Sequence, residues 1–512
     1  MNDKIPESPG QFSRKLKASK VSRRQILASG VAVGALGLVT SCAKEPTAAE
    51  LENSSEATDI LYDAIIVGAG LAGLHAARLL EEQGLNVLTL EGRDRVGGRV
   101  YTLMDIPGKP EAAGELIGGN YARMLDTARR LDLELFEPKT PLGSGERYFN
   151  IRGTNILKDE WEGHALNPMS GDDRKLMPDR MLWTLSHRNN PLSGKPLDDW
   201  IKPEYAQYDI PHGQYLKETL GFNDETIRLM NVVIHSDHIN NTSAMNELRR
   251  YAVNEFNGNM AKARPDLPSV QQVKGGNSLM VKAMGESLKN GVLLNKTVLA
   301  FEDTGDEVTV YCADNSSYKA KQVVNSMPHS VMQSVKFSPR LPQRMEESIR
   351  DITYGISIQV HFLLEKEYWE EDGLPPSLWS DTVIERFALL TDDDTGNPSS
   401  ALAFINGNEA YKYNFMTNDQ AFAYTMRELE KIRPSLKGAL KPVMVQSCHR
   451  DVHGAGDWVF WRPGHVTKYA PYMRESHGNI HFAGEHTALL ERGMEGAFES
   501  GERAATDLLS RA

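Results

Sequence analysis

Cysteine is scarce in this chain: three in 512 residues, none in a C-x-x-C pair. That excludes a disulfide framework and gives a metal site no support. Cys312 falls in an alternating run and is expected in a core or sheet, and Cys448 is read the same way. Positive charge is also short. Lys and Arg number 57 against 69 Asp and Glu, a net charge of −12, with no basic stripe beyond the N-terminus. That speaks against a nucleic-acid partner. The apolar stretch ending near Thr40 is too short and too glycine-rich to span a membrane. No Ser-His-Asp or paired-carboxylate site is evident. His235, Asp237 and His238 have no metal-ligand spacing and are read as a satisfied polar cluster. What remains is ordinary for a globular enzyme: 40% hydrophobic, 25% charged, and long enough for two or three domains.

One stretch stands out. Residues 63–100 read DAIIVGAGLAGLHAARLLEEQGLNVLTLEGRDRVGGRV. An apolar run (64–67) enters a glycine turn, a helical pattern follows to about Glu82, and a second apolar run (87–90) ends on Glu91. That is a βαβ unit with G-x-G-x-x-G at its first turn. Gly68 permits the tight turn, Gly70 lets a pyrophosphate approach the backbone, and Gly73 lets the helix pack against the strand. Leu71 and Ala72 open the helix, whose N–H groups and positive dipole end favour phosphate. Glu91 lies where an acid accepts hydrogen bonds from a ribose diol, which disfavours NADP. The unit alone leaves NAD and FAD open.

Its tail, with Glu91, Gly92, Arg93, Gly97, Gly98 and Arg99, resembles the flavin amine oxidase superfamily of monoamine, polyamine and L-amino acid oxidases. Residues 480–505, IHFAGEHTALLERGMEGAFESGERAA, resemble the C-terminal signature of the same superfamily. The resemblance implies FAD rather than NAD. It implies an α/β fold: a Rossmann-like FAD-binding domain of the glutathione-reductase type with an interleaved α+β substrate domain. By the same resemblance Gly98 and Arg99 sit over the pyrophosphate and flavin, and Gly114, Glu115, Leu116 and Ile117 pass beside the flavin ring. Val298 matches a backbone contact to adenine, and Gly484 and Glu485 match positions beside the ribityl chain and pyrophosphate. The helix from about Gly493, through Met494 and Ala497, points its N-terminus at the flavin O2 carbonyl. There it would stabilise negative charge on reduction.

The chain also departs from its relatives. Many carry a lysine that contacts the flavin N5 edge through water; the matching residue is Gln359, which cannot supply positive charge. Asp457 stands where monoamine oxidases attach flavin to cysteine, so the FAD is expected to be non-covalent. Trp458 supplies one aromatic wall, and Gly493 stands where a cage tyrosine would. The implied reaction is hydride transfer from the carbon beside an amine to flavin N5, hydrolysis of the imine, and reoxidation by oxygen with release of hydrogen peroxide. An L-amino acid oxidase needs a cation for the α-carboxylate. The family's arginine falls at about Ile117 here, leaving Arg123, Arg462 and Arg492 as replacements, with Arg462 assigned to substrate. The favoured expectation is an L-amino acid oxidase. Mono- or polyamine oxidase is the alternative, and a non-catalytic FAD-binding lipoprotein the reading from another class. Oligomeric state stays open, a dimer being compatible.

At the N-terminus, Arg14, Lys15, Lys17 and Lys20 precede Ser22-Arg23-Arg24-Gln25-Ile26-Leu27 and an apolar stretch. This resembles a twin-arginine export signal. Residues 39–42, VTSC, resemble a lipobox with Cys42 as the lipidated residue; a plain cleaved signal is the alternative. The expected location is the periplasm, with membrane attachment through Cys42. The expected layout is signal 1–42, linker 43–58, FAD-binding parts 59–125, 269–335 and 448–512, and substrate parts 126–268 and 336–447. A strand is expected at 101–106.

Overall fold

Two sheets carry the structure, and the cavity lies where they meet. The computed structural model describes residues 56–139, 145–263, 268, 270–392 and 394–511. The twin-arginine segment, Cys42 and most of the tether lie outside these residues.

The first sheet has eight strands. Glu56–Val67 is flanked in parallel by Val87–Leu90 and Ser316–Asn325. Val292–Leu293 extends the first side. Ile480–Phe482 joins Ser316–Asn325 in parallel, while Val308–Cys312 and Val298–Asp303 continue the sheet antiparallel. The central strands are apolar on both faces because both are covered. Ala64 and Ile66 pack with Leu74 and Phe498 of the helices Leu71–Glu82 and Gly493–Leu509. Ile65 and Val67 pack on the other face with Val323, Met345 and Ile480.

Glycine sets how closely these layers approach. A Cβ on Gly73 would sit 1.9 Å from the Gly68 carbonyl oxygen, and one on Gly501 2.3 Å from that of Ala72. The first and last helices of the sheet face therefore touch backbone to backbone. The carboxyl ends of the parallel strands then open at one edge. Gly68, Glu91, Ser326 and Gly484 all follow such ends and all line one cavity. That crevice is where open α/β sheets bind ligands.

The second sheet has seven strands, in the order Leu440–Gln446, Ser357–Leu364, Pro398–Asn406, Arg386–Thr391, Ser377–Ser380, Arg147–Ile151 and Thr154–Ile156. Its buried face, with Ile358, Val360, Phe362, Phe387 and Ile405, packs against the helix Asn418–Ile432 through Ala421 and Leu429. Thr417 and Gln420 close that helix with a reciprocal capping box. The 20-residue helix Ala244–Ala263 was not singled out by the sequence, because its asparagines and arginines blur the apolar stripe.

The strand expected at 101–106 is shorter. Only Tyr101–Thr102 pairs, with Glu111–Ala113. Leu103 N–H bonds Pro110 O and Ile106 N–H bonds Leu103 O, and the Pro107-Gly108 turn ends the ladder. No described helix is long and apolar enough to cross a membrane.

Candidate active site

The cavity at the strand ends has a volume of about 470 Å³. Its first half is built from the glycine motif. Gly68, Gly70, Leu71 and Ala72 line it, with Glu91, Gly92, Arg93, Gly98 and Arg99 across the turn. A Cβ on Gly70 would meet no protein atom within 4 Å, so the space beside this backbone belongs to the cavity. Gly73 does not line it; its role is the packing contact with Gly68. The Glu91 carboxylate is buried and fixed by two amides: Ala69 N donates to Oε2 at 2.8 Å and Arg93 N to Oε1 at 2.9 Å. Arg93 is in turn held by Asp451 through Nε at 3.0 Å and Nη2 at 2.7 Å. Val298 lines this end, beside Lys296 and Thr297.

Gly114, Glu115, Leu116, Gly484, Glu485, Gly493, Met494 and Ala497 carry the lining toward the second sheet. Glu485 ties two segments together. It accepts from Arg99 Nη1 at 3.1 Å and from Val459 N at 2.9 Å, while Arg99 also donates to the Asp457 carbonyl. The Asp457–Trp458 segment is thus anchored to the turn at Gly484. Burial pushes the Asp457 carboxyl up to about 6, against hydrogen bonds from Ser357 and Cys448 and the charge of Arg99.

The second half of the cavity is one row of the seven-stranded sheet. Arg386 lies opposite Phe404, Phe404 opposite Gln359, and Gln359 opposite Gln446. Directly paired residues share a face, and all four line the cavity. Arg386 places its guanidinium 5.3 Å from the Phe404 ring centre and its Nη2 3.1 Å from Glu385 Oε1. Gln359 is backed by His361, whose Nε2 lies 3.0 Å from Gln359 Oε1. Burial pushes His361 down to about 4, so its ring is neutral and donates this bond. Trp458 and His235 complete the wall, with ring centres 6.3 Å apart.

Several expectations need correcting. Ile117 does not line the cavity: it pairs with Gln271 and its side chain is wholly buried in the core beneath the helices, one position past the lining residues 114–116. Arg462 does not reach the cavity; it is half-exposed and pairs with Asp237 at 3.5 Å. Arg123 is committed to Glu495 and Glu502, and neither it nor half-buried Arg492 is in the lining. His235, Asp237 and His238 are not one cluster. His235 turns to Glu385 and the cavity, Asp237 to Arg462 and Asn241, and His238 Nδ1 to the Asn240 amide. Cys312 is buried in its strand, but Cys448, also buried, lines the cavity. Among the described residues no group of three or more His, Cys, Asp or Glu could hold a metal ion.

A glycine cradle at a helix N-terminus, an amide-fixed carboxylate one strand over, and a second half walled by an antiparallel sheet together suit a dinucleotide whose far end reaches a reaction chamber. Residues 71–509 match the family model for flavin-containing amine oxidoreductases. The chain belongs to that family. Human flavin-containing amine oxidase B is 26% identical over 459 residues, covering 87% of this chain and 86% of that protein. The zebrafish flavin-containing amine oxidase is 26% identical over 464 residues, covering 88% and 86%. The fold matches putrescine oxidase bound to putrescine, with TM-score 0.72 and 22% identity over 88% of this chain and all of that one. It also matches cyclohexylamine oxidase from Brevibacterium oxydans, with TM-score 0.71 and 21% identity over 88% and 99%.

This flavin-containing amine oxidoreductase therefore uses FAD, as its sequence implied. The residues fit the cofactor: Gly70 leaves backbone open to a pyrophosphate, and Glu91 presents a carboxylate already oriented by two amides. Asp457 cannot form a thioether, and the buried Cys448 thiol is pushed up by desolvation and so resists forming the nucleophilic thiolate. Acid precipitation is therefore expected to release all the yellow colour into the supernatant. Flavin retained on the pellet would contradict this and point to Cys448.

Proposed function

We propose that this family member oxidises the α-amine of an L-amino acid to a 2-oxo acid and ammonia. The observation that carries this is Arg386. It brings a guanidinium to the cavity wall one strand from Phe404 and two from Gln359. A guanidinium presents five donors in a fork that matches a carboxylate. Glu385 behind it fixes its direction.

FAD supplies the two-electron acceptor. The chain's own residues supply the rest. Arg386 holds the carboxylate, and Phe404 and Trp458 wall the amine off from water, which favours the neutral amine over the ammonium. Gln359, oriented by His361, offers its amide at the row beside them. The N-terminus of Gly493–Leu509 faces the cavity through Gly493, Met494 and Ala497 and favours negative charge there. Water hydrolyses the released imine, and with oxygen as acceptor the second product is hydrogen peroxide.

Likeness to amine oxidase B and putrescine oxidase supports a second reading, oxidation of a simple amine. Arg386 opposes a diamine, because a second ammonium would meet a cation. A peroxide-coupled screen of L-amino acids, D-amino acids and biogenic amines, repeated anaerobically by flavin bleaching, tests the choice. L-amino acids are expected to be the best substrates. Turnover confined to amines without a carboxylate would overturn the reading.

A further inference from the structure

His235 sits at the cavity wall with an unusual set of restraints. Its backbone is left-handed, φ 52°, a conformation uncommon outside glycine. The carbonyl of His235 packs so close to Gly355 that a Cβ there would come within 3.0 Å. The ring lies 5.4 Å from that of Phe404 and 6.3 Å from that of Trp458, between the two aromatic walls. Its Nε2 lies 3.5 Å from both oxygens of Glu385. Glu385 is almost fully buried. Burial acts to raise its carboxyl, but Arg386 and His235 together hold it below the usual carboxylate range. Asn406 Nδ2 also donates to it. Among the described residues no protein hydrogen bond engages His235 Nδ1.

We propose that His235 is a catalytic residue that takes the proton from the substrate ammonium, with Glu385 holding the imidazolium so formed. Amines arrive at neutral pH as ammonium, and the hydride-yielding form is the neutral amine. An N–H bond breaks at the substrate nitrogen and one forms at His235 Nδ1; no electrons are transferred in this step. The Nε2–H faces Glu385, so the pair is a carboxylate-backed base of the ordinary kind. Glu385, paired with Arg386, faces the ring; Trp183, edge-on to the ring at 6.1 Å, carries Arg250 3.3 Å over its own face, and Asp237 pairs with Arg462. With a substrate carboxylate on Arg386, the extra proton leaves this end of the cavity electrically balanced.

The inference rests on oxidation of an amine at this site, and not on Arg386 binding a carboxylate. Flavin bleaching of wild type by L-phenylalanine or phenethylamine tests that oxidation separately. The FAD-loaded His235→Gln protein, mixed anaerobically with either compound, is expected to lose roughly a hundredfold in reduction rate at neutral pH. The gap should close to a few-fold near pH 10, where the substrate arrives as free amine. Glu385→Gln should show a smaller loss with the same recovery, and serves if His235→Gln folds poorly. In histidine-labelled wild type, 2-aminoisobutyrate, which has no transferable hydrogen, should move one imidazole resonance to its protonated position, and that resonance should be missing from His235→Gln. An equal loss at every pH, or no imidazole that responds, would overturn the proposal.

Discussion

Replacing Arg386 with leucine is expected to lower kcat/KM for amino acids by about 10² to 10³, mainly through KM. Removing one partner of a buried, hydrogen-bonded charge pair costs roughly 2–5 kcal/mol, and each 1.4 kcal/mol is about tenfold. The same change should leave amines without a carboxylate far less affected, because they have no group for the guanidinium to hold. Arg386→Lys should fall between, since lysine keeps the charge but loses the fork. Part of the loss in the leucine variant comes from leaving Glu385 without this cation in a buried position. Comparing amino acids with amines in one variant cancels that part. Equal losses on both classes would assign Arg386 a structural role only.

The glycine motif should divide into two kinds of glycine. Gly73→Ala places a Cβ 1.9 Å from the Gly68 oxygen and 2.8 Å from Ser326 Oγ. Backbone cannot yield there without moving the helix off the strand, which costs about 3 kcal/mol or more. The thermal midpoint should fall by several degrees, with or without cofactor. Gly70→Ala meets no protein atom and sits at φ −82°, which alanine adopts readily. Its apoprotein should unfold within about 0.5 kcal/mol of wild type, while FAD affinity drops by on the order of tenfold or more, because the methyl group occupies the pyrophosphate's approach. Parallel thermal melts and flavin titrations separate the two, and an apo-stability defect in Gly70→Ala as large as that in Gly73→Ala would refute the division.

This contrast also marks what the sequence made legible. Gly68, Gly70, Gly73 and Glu91 lie in one βαβ unit, and each answers a local backbone or ligand demand, so a dinucleotide fold followed from them; the tail from Glu91 to Arg99 added the family and FAD. Gly484 to Met494 carried the same information from the other end. The substrate wall was not legible. Arg386, Phe404, Gln359 and Gln446 form a row only because four strands pair in one register. Nothing local to Arg386 distinguishes it from a surface arginine. Family resemblance places Ile117 beside the flavin and leaves Arg462 as a replacement cation for a carboxylate, but one strand step turns Ile117 into the core and Asp237 draws Arg462 away. His235 reads with its neighbours as a satisfied polar cluster because their spacing fits no metal site; its partner, Glu385, lies 150 residues further on, out of reach of local reading.

The most direct measurement pairs two substrates that differ only in the carboxylate. FAD-loaded protein is mixed anaerobically with L-phenylalanine and, separately, with phenethylamine, and flavin absorbance is followed. L-Phenylalanine is expected to bleach the flavin at least about tenfold faster at low substrate concentration, consistent with one charge-assisted carboxylate contact, and Arg386→Leu should erase or reverse the difference. Bleaching by phenethylamine with none by any L-amino acid would contradict the proposed function.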